Sequence, residues 1–480
     1  MKSIKEKNQE IILHGSIYNA IAIIAIPSMV NSLLQTAYNL TDTFWLGHIG
    51  SNELAAINLV SPVQNIITNF GNGITVAGSV LIAQYIGARE REKAKTMAAQ
   101  IYVVATIFSV LAALFCFLIT PALVVWLGAE GDVRTHASTY LQLVVLNIPL
   151  LFTTNVYAAI NQAQGDAVHP MKLNLIGTAA NLIMDPLFIV WLKMGPAGAA
   201  IATVASSAIP AIIAIKLLFA PKDGIKISLK GFKFIKEEVK KIVTIGLPTS
   251  LGGSVTWVGF LLMSKNVLVY GPAAMAAYGI SNKCNGVATL PINGVGSAVA
   301  TIVGQNMGAG QVSRAEQAYK KAMYFGMIFL GVSGFIISRD AVSSLLVGIF
   351  SEDVQVRLYA ADFLAVMSSW CWMNSVNTCT SGLFQGSGYT HVNMVVDISR
   401  LWVFRFATLF LFETVFDMGV RSIWYCVVIS NALTALVYLS LYFVGFWKKS
   451  RFKKTPLKAK VQINEEPWGK EKSFRRGKRK

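Results

Sequence analysis

The chain has 480 residues and a formal net charge of +18 at pH 7, yet only 14% of its residues are charged and 54% are hydrophobic. A typical soluble domain has about 25% charged residues. A water-exposed surface of this composition would carry large apolar patches. The composition therefore excludes ordinary soluble domains and predicts a protein that is surrounded by lipid.

Much of the positive charge lies near the C-terminal end. Residues 447–480 contain 14 Lys and Arg and 3 Glu, a net charge of +11. Aromatic residues such as Trp468 and Phe474 are interleaved with these cations. This pattern is typical of a segment that lies on anionic lipid headgroups. We expect membrane lipid as its partner and no binding of nucleic acid.

Apolar stretches of about 20 residues, the length of a membrane-spanning helix, recur twelve times. The stretches are continuous, which favours helices over the alternating strands of a β-barrel. The fold class predicted is an all-α polytopic membrane protein with twelve transmembrane helices. The predicted spans are 17–46, 54–83, 94–120, 136–162, 168–192, 196–218, 239–264, 274–303, 318–338, 358–383, 391–412 and 419–446.

Loop charges set the orientation of these spans, because cytoplasmic loops are enriched in Lys and Arg. Placing the N-terminus inside assigns 33 of the 42 Lys and Arg to cytoplasmic segments and six to the outside. An even number of spans then puts the C-terminus inside as well. We expect a multi-pass protein of the plasma or inner membrane with both termini in the cytoplasm.

The two halves of the chain share short motifs at one constant spacing, the spacing that separates Pro27 from Pro248. We call this spacing the repeat offset. Equal numbers of spans give both halves the same topology, so a pseudo-two-fold axis along the membrane normal should relate them. The other matching positions are 54–56 and 275–277, 84–88 and 305–309, 164–165 and 385–386, and Gly198 and Gly419.

The repeat and the polar segments divide the chain into five predicted domains. These are an N-terminal arm (1–16), a first six-helix lobe (17–219), a basic linker (220–238), a second six-helix lobe (239–446) and the tail (447–480).

Five polar residues of the first lobe are predicted to meet at one depth in the membrane: Asp42, Tyr140, Asn181, Asp185 and Thr203. Carboxylate, amide and hydroxyl oxygens are hard ligands that suit Na⁺. Two carboxylates in one buried pocket also repel each other, which makes one of them a proton acceptor. Pro186 leaves the carbonyl of residue 182 without its helical donor, which adds another oxygen. We expect H⁺ or Na⁺ as the coupling ion, and no organic cofactor.

The repeat provides an internal comparison for this group. Polarity that served only folding would be expected in both halves, whereas the second half has apolar side chains at the matching positions. This contrast favours a functional ion site over the structural hydrogen bonds that Asn and Thr commonly make between membrane helices. The positions that the repeat offset matches to Asp42, Asn181, Asp185 and Thr203 are Met263, Trp402, Phe406 and Trp424.

Four further charges lie inside predicted spans of the second half. Asp397 and Arg400 are one helical turn apart, so we predict that they neutralise each other, while Arg405 reaches toward the outer interface. Lys283 either pairs with Asp397 across helices or faces a central cavity. A charge at a helix centre costs about 2.5–3.5 kcal/mol on insertion scales, so each needs a partner or water.

These motifs resemble the multidrug and toxic compound extrusion (MATE) family. The resemblance covers about residues 15–446. It is carried by Ile26-Pro27, Thr41-Asp42-Thr43 and 54–56, by 84–88 with 304–310, and by 164–166 with 385–388.

The resemblance implies a V-shaped pair of lobes that exports drugs and organic cations by alternating access, driven by H⁺ or Na⁺ entry. The chain is most similar to the DinF branch, in which the first lobe carries the coupling site. The matching positions are Asp42, Asn181, Asp185 and Thr203, with Tyr140 nearby. The NorM branch has an acidic residue in span seven, where this chain has Thr256. That difference argues against a second-lobe site of the NorM type.

Two other functions compete with this interpretation. A lipid-linked sugar flippase shares a related lobe plan but needs a cationic cavity for pyrophosphate, so it would require Lys283, Arg400 and Arg405 to face the centre. A membrane enzyme is unsupported, since the five His residues are scattered and no nucleophile or metal spacing is present. We expect a monomer with a small amphipathic or cationic substrate.

The first prediction concerns topology. Protease added outside intact cells should leave the tail uncut, because the charge distribution places it in the cytoplasm. Immunoblotting of an epitope at the C-terminus measures this, with permeabilised cells as the control. Cleavage between residues 448 and 480 in intact cells would contradict the orientation.

Overall fold

The computed structural model describes residues 3–46, 51–221 and 223–449; within 39–58 several side chains, including that of Asp42, are outside the described part. The described residues form seventeen α-helices joined by short turns, 3₁₀ turns and π-helical segments. The helices are α1 (Ile4–His14), α2 (Ile17–Leu46), α3 (Ser51–Gly87), α4 (Arg91–Trp126), α5 (Gly131–Val144), α6 (Ile148–Ala163), α7 (Val168–Pro186), α8 (Gly195–Phe219), α9 (Lys236–Leu268), α10 (Pro272–Gly308), α11 (Val312–Ile337), α12 (Asp340–Gly348), α13 (Val354–Ser369), α14 (Met373–Gly386), α15 (Thr390–Ile398), α16 (Phe406–Thr414) and α17 (Arg421–Val444).

The helices of the described residues are consistent with the twelve predicted membrane crossings. Ten helical segments of the described residues are long and apolar enough to span a bilayer. The other two crossings, predicted as unbroken helices at 358–383 and 391–412, are interrupted. The first breaks between α13 and α14, and the second runs from α15 through a π-helical segment, Ser399–Arg405, into α16.

The interruptions have local causes. After α13 the backbone N–H groups of Trp370 and Cys371 bond three residues back, to the carbonyls of Met367 and Ser368, so the helix tightens and ends. The first lobe has a matching 3₁₀ turn, Val145–Asn147, between α5 and α6. There a proline follows in the first turn of α6, where its missing N–H costs no helical hydrogen bond. Both lobes therefore break their fourth crossing at a similar level.

The two lobes use the same internal packing. In the first lobe α2 packs against α7 and α3 against α6, and in the second lobe α9 packs against α15 and α10 against α14. Between the lobes, α3 contacts α9 and α10 contacts α2. Each lobe thus presents its first two crossings to the other, as the pseudo-two-fold axis requires.

Glycines allow the lobes to touch near the ends of α3 and α10. A Cβ on Gly87 would clash with the carbonyl oxygen of Gln305, and a Cβ on Gly308 would clash with the carbonyl oxygen of Gln84. The repeat offset relates these two contacts to each other. Only glycine permits so close an approach of two backbones. We call the side of the molecule that carries this contact the terminal face, because α1 and the end of α17 lie there.

Side chains add a second pair of links at the same level. The Nε2 of Gln84 donates to the carbonyl of Gly386 at 2.9 Å, and the Nε2 of Gln305 donates to the carbonyl of Ala163 at 2.7 Å. Each glutamine therefore crosses to the end of the fourth crossing of the other lobe. The repeat motifs at 84–88 and 305–309 serve this closure.

The N-terminal arm is a helix, which the sequence analysis did not predict. The hydroxyl of Ser3 accepts from the backbone N–H of Glu6 at 3.2 Å, and the Glu6 carboxylate accepts from the N–H of Ser3 at 3.1 Å. This reciprocal capping box satisfies two N–H groups at the helix start. The Ser-x-x-Glu spacing was the sequence signal for α1.

Helix α1 bridges the two lobes. The ammonium of Lys5 donates to Asn161 Oδ1 of the first lobe at 2.7 Å. At the other end, Arg314 of the second lobe donates to the carbonyls of Ile12 at 3.0 Å and Gly15 at 2.6 Å. Burial lowers the pKa of Lys5, and nearby carboxylates act in the opposite direction. Opening the terminal face would therefore break contacts at one end of α1.

The second prediction tests the closure. Gly308→Ala should favour a state in which the terminal face is open, because the added methyl group overlaps the Gln84 carbonyl. Ser297 lies between the lobes, where its hydroxyl accepts from Gln162 at 2.6 Å. In a variant without native cysteines, Ser297→Cys should react faster with an impermeant thiol reagent when Gly308→Ala is present.

Gly331→Ala is the matched control, because its Cβ would meet no atom closer than 4.0 Å. Both variants should be monodisperse in detergent. If Ser297→Cys is labelled at the same rate in Gly308→Ala and in Gly331→Ala, the closure of the terminal face does not depend on the glycine contact.

Candidate functional site

A buried amide–carboxylate pair lies in the first lobe. Asn181 and Asp185 are one turn apart on α7, and the Nδ2 of Asn181 donates to Asp185 Oδ1 at 2.8 Å. Both side chains are fully buried. A buried carboxylate is costly unless hydrogen bonds or a cation compensate the lost hydration. The pair is therefore a candidate for binding a positive charge.

The end of α7 has an irregular backbone. Pro186 is the last residue of the helix, and a π-helical segment, Leu187–Trp191, follows it. Proline has no N–H, so it donates no helical hydrogen bond to the carbonyl of Leu182. Irregular helical turns of this kind are frequent at functional sites.

Neighbouring helices bring two more of the predicted residues to this region. Helix α8 packs against both α5 and α7. Tyr140 of α5 is buried. On α8, the Thr203 hydroxyl donates to the Ala199 carbonyl at 3.0 Å, so its oxygen keeps lone pairs for a ligand. Asp42 belongs to α2, which packs against α7, but its side chain lies outside the described residues.

The available donor set consists of hard oxygens. Within the described part of the chain, Asn181 Oδ1 is buried and has no hydrogen-bond donor. It lies beside the Asp185 carboxylate, with the Thr203 hydroxyl on the adjacent helix. In the described residues no group of three or more His, Cys, Asp or Glu is arranged for a metal ion. The residues present therefore fit Na⁺ or a proton, rather than a transition metal.

Three of the four matching positions in the second lobe form an apolar packed cluster. The fourth, Trp402, which matches Asn181, is 36% exposed, and its indole N–H donates to the Val255 carbonyl of α9 at 3.2 Å. Met263 and Trp424 are fully buried in one cluster, with Phe406 packed against it. The Trp424 ring stacks on Phe363 with centroids 4.2 Å apart. The repeat therefore places a polar group in one lobe and an aromatic core in the other.

The charged residues that were predicted inside spans of the second lobe lie in three different environments. Arg400 and Asp397 lie 3.8 Å apart, as an ion pair within one helix. Arg405 is buried inside the second lobe, where it donates to Ser430 Oγ at 3.1 Å, rather than reaching the outer interface. Lys283 is exposed, and no carboxylate of the described residues lies within 4 Å of it. A flippase cavity would require Lys283, Arg400 and Arg405 to face it. Arg405 is instead buried inside the lobe and Arg400 is paired with Asp397, which leaves Lys283.

The third prediction concerns the stability of the first-lobe group. Asn181→Ala should lower the free energy of unfolding by about 1.5–3 kcal/mol, because it removes a hydrogen bond to a charged group. Thr203→Val is the comparison, because its hydroxyl bonds only within its own helix in the described residues. Chemical unfolding in detergent measures both. Equal losses in the two variants would contradict a charge-dependent Asn181–Asp185 pair.

The chain is similar in sequence to a family of known proteins. The MatE family model matches residues 27–187 and 248–411, two segments whose first residues are related by the repeat offset. A probable multidrug resistance protein NorM of Thermotoga maritima is 22% identical over 431 residues, covering 89% of this chain and 92% of the relative. Multidrug export protein MepA of Staphylococcus haemolyticus is 24% identical over 431 residues, covering 90% and 94%.

Solved structures agree with the fold. A MATE crystal structure in complex with MaD3S superposes with a TM-score of 0.87 at 25% identity, covering 91% of this chain and 98% of the other. A transporter of the MOP superfamily from Pyrococcus furiosus, described as having a binding pocket of reverse polarity, superposes with a TM-score of 0.86 at 26% identity, covering 92% of this chain and 99% of the other. The two-lobed fold, the repeat and the family match together show that the chain belongs to the MATE family of membrane transporters and is not an enzyme.

Proposed function

We propose that this transporter exports amphipathic drugs and organic cations across the cell membrane, coupled to the entry of H⁺ or Na⁺ through the first lobe. The observation that carries the proposal is the buried Asn181–Asp185 pair, together with its apolar replacement in the second lobe. The names of NorM and MepA support multidrug export as the activity.

The proposed transport uses alternating access. With both termini in the cytoplasm, the terminal face is the cytoplasmic side, and the contact at Gly87 and Gly308 closes the pathway from the cell. The opposite end of the cleft is then open to the outside. Breaking these contacts while the lobes rock toward each other at the outer end would expose the cleft to the cytoplasm.

Coupling follows from the charge of the first-lobe pocket. Asp42 and Asp185, both on helices of this lobe, repel each other when bare, and a proton or Na⁺ removes the repulsion. The neutralised pocket allows α2 and α7 to pack more closely. Since α2 also contacts α10 of the second lobe, this change alters the packing between lobes. An ion drives transport only through its different affinity for the two packings.

Two further expectations complete the proposal. The protein acts as a monomer, because the cleft lies between the lobes of one chain. The start of the tail predicted at 447–480 belongs to the second lobe, because Trp447 is fully buried there and the Lys448 ammonium pairs with the Glu316 carboxylate at 3.0 Å. Residues 450–480, which lie outside the described residues, bind anionic lipid on the cytoplasmic leaflet. The DinF branch remains our assignment within the family.

The fourth prediction tests coupling. In proteoliposomes, the lipophilic cation rhodamine B ethyl ester should be expelled against its gradient when a proton or a sodium gradient is imposed, each tested separately. Asp42→Asn should abolish the gradient-driven step, because it permanently removes one charge of the pocket. The variant should still bind the dye.

Met263→Leu, at the repeat-equivalent position, is the matched control and should keep its ion dependence. Uphill transport by Asp42→Asn near the parent rate would contradict a first-lobe coupling site. Lack of response to both gradients in the parent would contradict ion coupling altogether.

A further inference from the structure

Lys283 lies on the face of α10 that is turned toward the first lobe. A Cβ on Gly294 of α10 would meet the backbone of Ala25 and the side chain of Met29 on α2, both at 2.8 Å. Lys283 is eleven residues from Gly294, about 16 Å along the helix and three turns plus about 20° around it. Pro291 lies between them, so the neighbour Ser281 is the more direct guide to the face of Lys283. Ser281, about half a turn around the helix from Lys283, donates instead to the Ala360 carbonyl inside the second lobe.

Trp257 occupies the corresponding place on α9. A Cβ on Gly246 would meet the Gly73 carbonyl of the first lobe at 3.0 Å. Beyond Pro248, a Cβ on Gly253 would also meet the first lobe, at Asn69 Oδ1 2.6 Å away. Trp257 is one turn beyond Gly253, eleven residues from Gly246, and therefore on the same face. Its side chain is 49% exposed.

The two side chains lie at the same depth. The repeat offset relates Gly73 to Gly294 and Ala25 to Gly246. An axis along the membrane normal preserves depth, so these four contact positions form one layer. The indole and the ammonium are each eleven residues beyond this layer, away from the terminal face. They therefore stand on adjoining helices of one wall of the cleft.

Helices α9 and α10 present a single charge within the membrane, with open space around it. Lys283 is the only charged residue of α10, and residues 242–264 of α9 contain none. A Cβ on Gly279 or on Gly286, one turn to either side of Lys283, would meet no atom within 4 Å. An unpaired ammonium facing lipid at this depth would be costly, so the exposed face of Lys283 belongs to the water-filled cleft.

We propose that Lys283 and Trp257 form a recognition site for aromatic compounds that carry a carboxylate, in which the ammonium binds the carboxylate and the indole packs on the ring system. A single ammonium suits one acidic group better than a lipid-linked pyrophosphate, which needs several cations. Compounds that carry both an amine and a carboxylate fit the cleft best, because the first lobe carries the acidic pocket. The site rests on the proposed export function and narrows its substrate class.

The test uses a matched pair of dyes, rhodamine B with its free carboxylate and rhodamine B ethyl ester. Binding is measured by fluorescence anisotropy on the full-length protein in detergent. Lys283→Gln should weaken binding of the carboxylate dye about tenfold or more, the loss expected for one charged hydrogen bond. The Kd of Lys283→Gln for the ester should stay within about twofold of the Kd of the parent protein, because the ester has no carboxylate to bind the ammonium. Lys283→Arg should restore binding of the carboxylate dye.

A second variant tests the aromatic half of the site. Trp257→Ala should weaken both dyes to a similar extent, and Trp257→Phe should recover most of the loss. Equal effects of Lys283→Gln on both dyes, no effect on either, or a parent that does not bind the carboxylate dye would each overturn the proposal.

Transport distinguishes this inference from the proposed function. If the parent expels the ester in response to the gradient but Lys283→Gln binds both dyes as the parent does, the export function stands and the recognition site is rejected. If binding of the carboxylate dye depends on Lys283 but neither dye is expelled in response to a gradient, the recognition site stands and the coupled export is rejected.

Discussion

The contact of two backbones at Gly87 and Gly308 is the constraint on which the rest of this structure depends. Each glycine lies against the carbonyl of the glutamine that the repeat assigns to the other lobe, Gln305 or Gln84. The approach is too close for any side chain, so the lobes meet in one defined register. That register fixes which faces of α2, α3, α9 and α10 are turned toward each other. It also brings the two lobes into direct backbone contact at the terminal face.

The two lobes share the same helix packing but differ in the polarity of their buried residues. The glycines and glutamines that join the lobes occur at matching positions in both halves. The buried Asn181–Asp185 pair of the first lobe, by contrast, corresponds to a region of the second lobe that contains the aromatic cluster around Trp424. A packed aromatic core resists rearrangement because its stacked rings are in close contact. A buried carboxylate such as Asp185 can change its charge by binding a proton or a cation, which is the basis of the coupling that we propose. In the function we propose, this asymmetry makes the first lobe the element that responds to the ion, while the second lobe carries Trp257 and Lys283.

The sequence predicted the membrane class, the twelve crossings and the repeat, because apolar length and regular spacing are local properties of the chain. It did not predict the breaks beside Trp370 and at Ser399–Arg405, since helix interruptions in apolar runs depend on local hydrogen bonding. It left the partner of Lys283 undecided, because that depends on which helix face meets the other lobe. It also overlooked α1, whose eleven residues are too short and too polar to form an isolated stable helix. This helix is stabilised by contacts with both lobes, which only the tertiary structure provides.

The central claim is that the charge of the first-lobe pocket controls how the lobes pack. Spin labels at Lys93→Cys and Ser313→Cys, exposed positions on opposite lobes, report the separation of the terminal ends by pulsed electron resonance in a variant without native cysteines. The account predicts two separations whose proportions shift when protons or Na⁺ are added, and a fixed proportion in Asp42→Asn. A response in Asp42→Asn equal to that of the parent would contradict it.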